Sequence, residues 1–219
     1  VVIGDLLEAE GQQVEAQINE SGGKALFVKL NVTSSDDWKN AIGKAVETFG
    51  KLNVLINNAG IYSNTPIEET SEDEWDHIME VNTKGVFLGT KLSIQAMRDA
   101  GGGSIINIAS IYGVIGSKGS TAYHTAKGGV VMLTKASAVA YAPENIRVNS
   151  ILPGFFNTPF LDEPDVAPGY DPNNISEKIP LGRFGLAHEV ASGMVFLASD
   201  ESSFITGVDL AIDGGMSAI

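Results

Sequence analysis

The sequence predicts a doubly wound α/β fold, a parallel sheet covered by helices on both faces. Three observations carry that prediction. Short continuous apolar runs alternate with helical stretches from one end of the chain to the other, and strands of that kind are buried on both faces, as in helix-covered parallel sheets. At 219 residues with 43% apolar side chains the chain is long enough for one substantial core. No repeat, charge block or linker interrupts the alternation, so residues 1–219 read as a single domain.

Taken in order, residues 1–5 read as the end of a buried strand, and residues 6–21 mix acidic and apolar positions in a helix that Gly22-Gly23 closes. Residues 25–31 are a second apolar strand. Thr33 to Asp37 then supply capping oxygens for a helix over 38–49. Residues 52–58 form a third strand, and 72–97 a helix interrupted near Asn82, where asparagine suits a helix interior poorly. A strand over 104–109, a helix over 121–141, a strand over 147–152, a helix over 187–198 and a last strand over 207–212 complete the pattern. Residues 155–176 depart from it, with four prolines in a connection longer than most, a composition that suits a lid over a site.

Composition excludes several functions. With 27 acidic against 14 basic side chains and a net charge of −13, the chain is a poor partner for nucleic acid or an anionic membrane. It has no cysteine, hence no disulfide, thiolate metal site or cysteine nucleophile, and its three histidines show no metal-ligand spacing. No apolar run approaches the ~20 residues that cross a bilayer, and no secretory signal is visible; a cytoplasmic protein is expected.

The chemistry gathers between Ser110 and Lys127. Tyr123 and Lys127 stand four apart in a helical stretch, so both side chains leave the same face. An ammonium beside a phenol favours the phenolate, lowering a pKa that is ordinarily near ~10. Ser110 ends the strand thirteen residues before Tyr123, where its hydroxyl can hydrogen-bond a substrate oxygen while the tyrosine moves the proton. In isolation, Tyr-x-x-x-Lys is more often a solvated surface pair than a site.

Together with Asn57-Asn58-Ala59-Gly60, Asn82 and Pro153-Gly154, in that order and at matching spacing, the pattern resembles the short-chain dehydrogenase/reductase family over nearly the whole chain. The resemblance implies a Rossmann-like fold and an oxidoreductase acting on CH–OH groups with a nicotinamide cofactor. It assigns catalysis to Asn82, Ser110, Tyr123 and Lys127. Ser110 positions the substrate oxygen, Tyr123 exchanges the proton, Lys127 holds the nicotinamide ribose and lowers the tyrosine pKa, and Asn82 kinks its helix and completes a proton path to solvent. Cofactor contacts fall on Asp5, Asn31, Val32, Asn58, Ala59, Gly60, Tyr123, Lys127, Pro153, Gly154, Phe156 and Thr158. An acidic Asp5 accepts from the adenosine ribose hydroxyls and repels a 2′-phosphate, which indicates NAD over NADP. Asn31 stands where relatives usually carry Asp; its amide oxygen can still accept from adenine. Phe156 replaces a common branched aliphatic.

Family members open with a strand, a glycine-rich turn and a helix that cradle the pyrophosphate. Val1 begins where the second strand belongs, and roughly 30 residues of strand-turn-helix would precede it, the strand lying between those at Val1 and Leu52. Either the sequence begins late, the reading preferred, or the molecule lacks that strand and a buried backbone row goes unpaired.

Ile111, Tyr112, Phe155, Phe160, Leu161 and Tyr170 suggest an apolar substrate pocket. Acidic Asp162, Glu163 and Asp165 disfavour an anionic substrate. The expected activity is therefore NAD-dependent interconversion of a secondary alcohol and its ketone. A 3-oxoacyl-[acyl-carrier-protein] reductase is the enzymatic alternative, and a non-catalytic binding or scaffold module the alternative of another class. The resemblance also implies a homo-oligomer, a dimer or tetramer, paired through the helices that contain Asn82 and Tyr123. Val130, Val131, Met132, Leu133 and Val139 supply an apolar surface for that pairing.

Overall fold

The computed structural model describes residues 1–158 and 176–218. Its strands are β1 (Val2–Asp5), β2 (Leu26–Lys29), β3 (Val54–Asn57), β4 (Gly103–Ile108), β5 (Ile146–Pro153), β6 (Phe156–Asn157), β7 (Gly185–Leu186) and β8 (Asp209–Ile212). The helices are α1 (Glu8–Glu20), α2 (Ser35–Phe49), α3 (Glu72–Met79), α4 (Gly85–Asp99), α5 (Thr121–Tyr141) and α6 (Ala187–Ala198). Every ladder is parallel. β3, β4, β5 and β8 lie side by side in one sheet, β1 pairs β2 in a second, and no ladder joins β1 to β3 among the described residues. The doubly wound parallel architecture is as the sequence predicts.

Alternation along the strands divides the core into two layers. Ile105 and Val148 turn toward α4 and α5, meeting Ile94, Met97 and Ala138. The neighbouring Ile106 and Ile151 turn the other way, onto Leu197, Val190 and Met194 of α6. α2 lies on the same layer as α4, because Trp38, Ala41 and Leu88 close over Val28 and Leu30. α1 is on the opposite face, where Gly11 rests so close to the Phe27 ring that a Cβ would stand 2.1 Å from it.

Ser34 caps α2 by accepting from the Asp37 amide, and Gly50 ends it in the left-handed region at φ 82°. α5 and α6 have the bounds the sequence implies. The helix over 72–97 is interrupted as expected, and the interruption is a π segment, Glu80–Lys84, centred on a fully buried Asn82. The short ladder between Phe156–Asn157 and Gly185–Leu186 carries no periodic signal and was not anticipated; it forms because Gly185 lies flat on the Phe156 ring.

The apolar circumference of α5 is spent differently from the expectation. Val130 and Val131 are consumed by the core against Val86, Ala109, Ile111 and Leu152, with Leu133 half-buried beside them. Met132 and Val139 alone of the five stand exposed. A helix apolar nearly all round is here buried on its wide face by its own sheet, so only a narrow stripe is left for a partner.

Candidate active site

β4 ends at Ile108, and Ala109 and Ser110 carry the chain out at its carboxyl end. Ser110 is extended, and its Oγ accepts from the Tyr112 amide at 3.1 Å, folding Ile111–Gly113 into one 3₁₀ turn. Gly113 makes the next contact possible: a Cβ there would stand 2.8 Å from the Lys127 carbonyl oxygen. That close approach brings the amino-terminal turns of α5 against Ser110. Tyr123 and Lys127 point to the same side and are 7% and 3% exposed, so the sequence pair is not a solvated one. The Ser110 hydroxyl stands close enough to that of Tyr123 to favour its ionised form. The Lys127 Nζ donates to the Ile108 carbonyl at 2.9 Å and lies 5.6 Å from the centre of the Tyr123 ring.

The electrostatics correct one expectation. Burial pushes the Tyr123 phenol up to about 12 despite the opposing influence of the Ser110 hydroxyl, and burial brings the Lys127 ammonium down to about 8. Desolvation of the charged form is the largest cause in both groups, and for the tyrosine it runs opposite to the expected lowering. The phenol is consequently poised as a proton donor at neutral pH.

Asn82 is placed by the π segment, which turns its amide out of the helix and onto the strand-end loop. Its Oδ1 accepts from the Ile61 amide at 2.9 Å and its Nδ2 donates to the Ile61 carbonyl at 2.8 Å. Gly60 is the junction between this clamp and the lysine. A Cβ at Gly60 would stand 2.9 Å from Asn82 Oδ1 and 3.3 Å from Lys127 Nζ. Clamping Ile61 also fixes Tyr62, whose ring meets that of Tyr123 edge to face at 4.9 Å and 71°.

The residues assigned to a cofactor follow the carboxyl ends of successive strands, where open α/β sheets bind ligands. Asp5 ends β1 with Oδ1 accepting from the Leu7 amide at 3.0 Å. Asn58, Ala59 and Gly60 follow β3, with Asn58 and Ala59 exposed, and Gly154 follows Pro153 at the end of β5. Thr158 is half-buried. Asn31 departs from its expected role, because its Oδ1 already accepts from both the amide and the hydroxyl of Thr33, which fills its two lone pairs. Val32 packs on Gly85, and its carbonyl accepts from the Trp38 indole at 2.9 Å. Phe156 is buried against Gly185, which leaves its backbone to make any contact. Two features fit a nicotinamide nucleoside: the bare Cα of Gly60 beside Asn82, and a buried ammonium with three donors, of which Ile108 takes one.

Comparison with known proteins decides the family. A family model described as enoyl-(acyl carrier protein) reductase matches residues 1–217. The chain is 48% identical to trans-4-hydroxycyclohexanecarboxylate dehydrogenase of Sinomonas cyclohexanicum, covering 100% of this chain and 83% of that protein. It belongs to the short-chain dehydrogenase/reductase family. Cyclopentanol dehydrogenase of a Comamonas species is another relative, 43% identical over 100% of this chain and 87% of its own length. Among solved structures, a gluconate 5-dehydrogenase from Burkholderia cenocepacia in complex with NADP and tartrate superimposes with a TM-score of 0.92 at 29% identity, covering 100% of this chain and 85% of that one. Members of this short-chain dehydrogenase/reductase family bind a nicotinamide cofactor and act on CH–OH groups, and this chain is such an oxidoreductase.

Around Ser110, Tyr123 and Lys127, the anticipated substrate positions of the dehydrogenase divide. Ile111 is 1% exposed and packs in the core with Val130 and Leu152, although it immediately follows Ser110. Tyr112 stacks on His124 at 4.6 Å and meets Phe155 at 6.1 Å, and Phe155 in turn meets Phe184 at 6.3 Å. Phe160, Leu161 and Tyr170, with Asp162, Glu163 and Asp165, lie outside the described residues. Sequence reasoning overlooked Tyr62 and His124. Tyr62 stands two residues past the Asn58-Ala59-Gly60 turn and His124 directly after Tyr123, and those positions were the available signals. Among the described residues no group of three or more His, Asp or Glu could hold a metal, and no helix is long and apolar enough to cross a membrane.

Proposed function

We propose that this enzyme interconverts an alicyclic secondary alcohol and its ketone with NAD. The observation that carries the chemistry is the buried contact of Ser110 with Tyr123 beside Lys127. The Ser110 hydroxyl orients the substrate oxygen, and the Tyr123 hydroxyl gives that oxygen a proton in reduction and takes it back in oxidation. Lys127 presents ammonium donors to the nicotinamide ribose, and Gly60 leaves the room that ring and ribose need. When bound, the nicotinamide supplies or accepts the hydride. Asn82 holds Ile61, and with it the floor of the site, while the proton passes.

The relatives named for cyclopentanol and trans-4-hydroxycyclohexanecarboxylate support a ring-shaped alcohol. Asp5 supports NAD, since a carboxylate at the end of β1 accepts from ribose hydroxyls and repels a 2′-phosphate. Exposed Phe87 of α4, with Met132 and Val139 of α5, supports a homo-oligomer paired through these helices, and a cytoplasmic setting is assumed.

Initial rates with cyclopentanol and cyclohexanol, using NAD and NADP in parallel, test the reading. Tyr123→Phe is expected to abolish turnover while NADH binding, followed by fluorescence, changes little; retained turnover refutes the assignment. The description of the matching family model favours an acyl-carrier-protein substrate instead. A β-ketoacyl thioester reduced faster than cyclohexanone, and with NADPH, would establish that alternative.

A further inference from the structure

We infer that Tyr62 is a specificity-determining residue, a fixed aromatic wall that sets the size of ring the substrate site admits. The inference rests on the alicyclic-alcohol reading above and names the side chain that enforces it. Tyr62 is held at three points. Its backbone follows Ile61, whose amide and carbonyl are both bound by the fully buried Asn82. Its hydroxyl reaches Asn64 Oδ1 at 3.3 Å and interacts with the Ser120 hydroxyl. Ser120 itself clasps the loop, donating from its amide to the Thr65 carbonyl at 3.0 Å and from its hydroxyl to the Ser63 carbonyl. It does so from the left-handed region at φ 58°, a conformation a non-glycine residue adopts only where surrounding contacts enforce it.

The consequence is a ring held against that of Tyr123. Its edge-to-face contact sets it against the ring of the tyrosine that exchanges the proton. Tyr112 bounds the site as well, stiffened by its stack on His124 and its contact with Phe155. His124 is itself fixed, Nδ1 on the Ser120 carbonyl at 2.7 Å and Nε2 on the Ser117 hydroxyl at 3.0 Å. Both phenols lie near enough to Tyr123 to disfavour its ionised form slightly, which agrees with their bordering its hydroxyl. An aromatic wall fixed in this way suits a flat or gently puckered ring and resists a larger one, because well-packed side chains yield little to added volume.

The test is a ring-size series, cyclopentanol, cyclohexanol and cyclooctanol, oxidised by the full chain with NAD. Tyr62→Phe keeps the wall and is expected to retain the wild-type order of kcat/KM. Tyr62→Ala removes it, and the preference for cyclohexanol over cyclooctanol is expected to fall by about tenfold or more, mainly through KM for the larger ring. NADH binding is expected to be unchanged in both. Tyr62→Leu, with melting curves for each variant, serves if the alanine variant does not fold, and a shift in the same direction supports the inference. An active wild type whose ring-size profile survives in Tyr62→Ala or Tyr62→Leu overturns this inference alone. A wild type that oxidises none of the three alcohols overturns the alicyclic reading and this inference with it.

Discussion

Replacing Gly60 by alanine adds one methyl group at the point where three parts of the site converge. The new Cβ would stand 2.9 Å from Asn82 Oδ1, 3.9 Å from its Cγ and 3.3 Å from Lys127 Nζ. The first of these is too short, so something must move. Asn82 is 0% exposed and tied to Ile61 by two hydrogen bonds, and Lys127 is 3% exposed and tied to Ile108. Neither neighbour is the free end of a flexible chain. If Asn82 retreats, the half-buried Ile61 amide loses its acceptor at a cost of about 1–3 kcal/mol. If it stays, overpacking costs about 1–3 kcal/mol. Reduced freedom of the unfolded chain returns about 0.5 kcal/mol. The net loss is about 1.5 kcal/mol, or about 3–6 °C in Tm for a chain of this size, read by thermal unfolding at fixed protein concentration. A shift of the Lys127 ammonium by a fraction of an ångström is expected to lower kcat/KM by about a hundredfold. Gly43→Ala is the control, since a Cβ there meets nothing within 4 Å on exposed α2, and it should stabilise by about 1 kcal/mol. A Gly60→Ala protein within 0.5 kcal/mol and threefold of wild type would refute the claim that this junction has no slack.

Two further predictions concern pH. Since burial holds Tyr123 as a phenol up to about 12, alcohol oxidation, which needs the phenolate, should rise by about tenfold per pH unit between pH 6 and 9 while ketone reduction stays nearly level; an oxidation rate flat over that range would show the tyrosine already ionised. Folding lowers Lys127 from 10.5 to about 8, so between those values the unfolded chain keeps a proton that the folded chain has released, and stability climbs with pH through that window. Tyr123, raised from 10.0 to about 12, works against stability only above pH 10. Urea unfolding at pH 7.5 and 9.5 should therefore show wild type gaining about 2 kcal/mol over a Lys127→Met variant, and equal slopes would rule the effect out.

The parts of this molecule that were legible in sequence are those that repeat a local rule. The periodic apolar spacing of Thr121–Tyr141 and Ala187–Ala198 gave both helices their bounds, and an asparagine at 82 marked the helix defect because the residue type is wrong for a regular turn. What the asparagine grips was not legible, since Ile61 is 21 positions away and offers only backbone. Tyr62 was overlooked for the same reason: an irregular loop has no period, and the tyrosine acquires meaning only once the clamp presses it on Tyr123. The spacing of Tyr123 and Lys127 placed them on one face but carried no measure of depth, and depth governs which way their pKa values move. Adjacency to Ser110 in the chain carries no measure of depth either, and Ile111 opens the 3₁₀ turn with its side chain in the core beside Val130 and Leu152.

The π segment Glu80–Lys84 also bears on how this chain tolerates change. It lodges one surplus residue between α3, which turns Ile78 onto Ala122 and Ala126, and α4, which turns Ile94 and Met97 into the sheet. Excising a single residue there would smooth the helix and improve its local hydrogen bonding. It would also rotate everything downstream by about 100° relative to everything upstream, swinging Ile94 and Met97 toward solvent or prying Ile78 off α5. Deletion scanning across 80–84 should thus be harsher than substitution at the exposed Glu80 and Lys84. The segment behaves as a phase marker whose residue count is guarded more strictly than most of its letters.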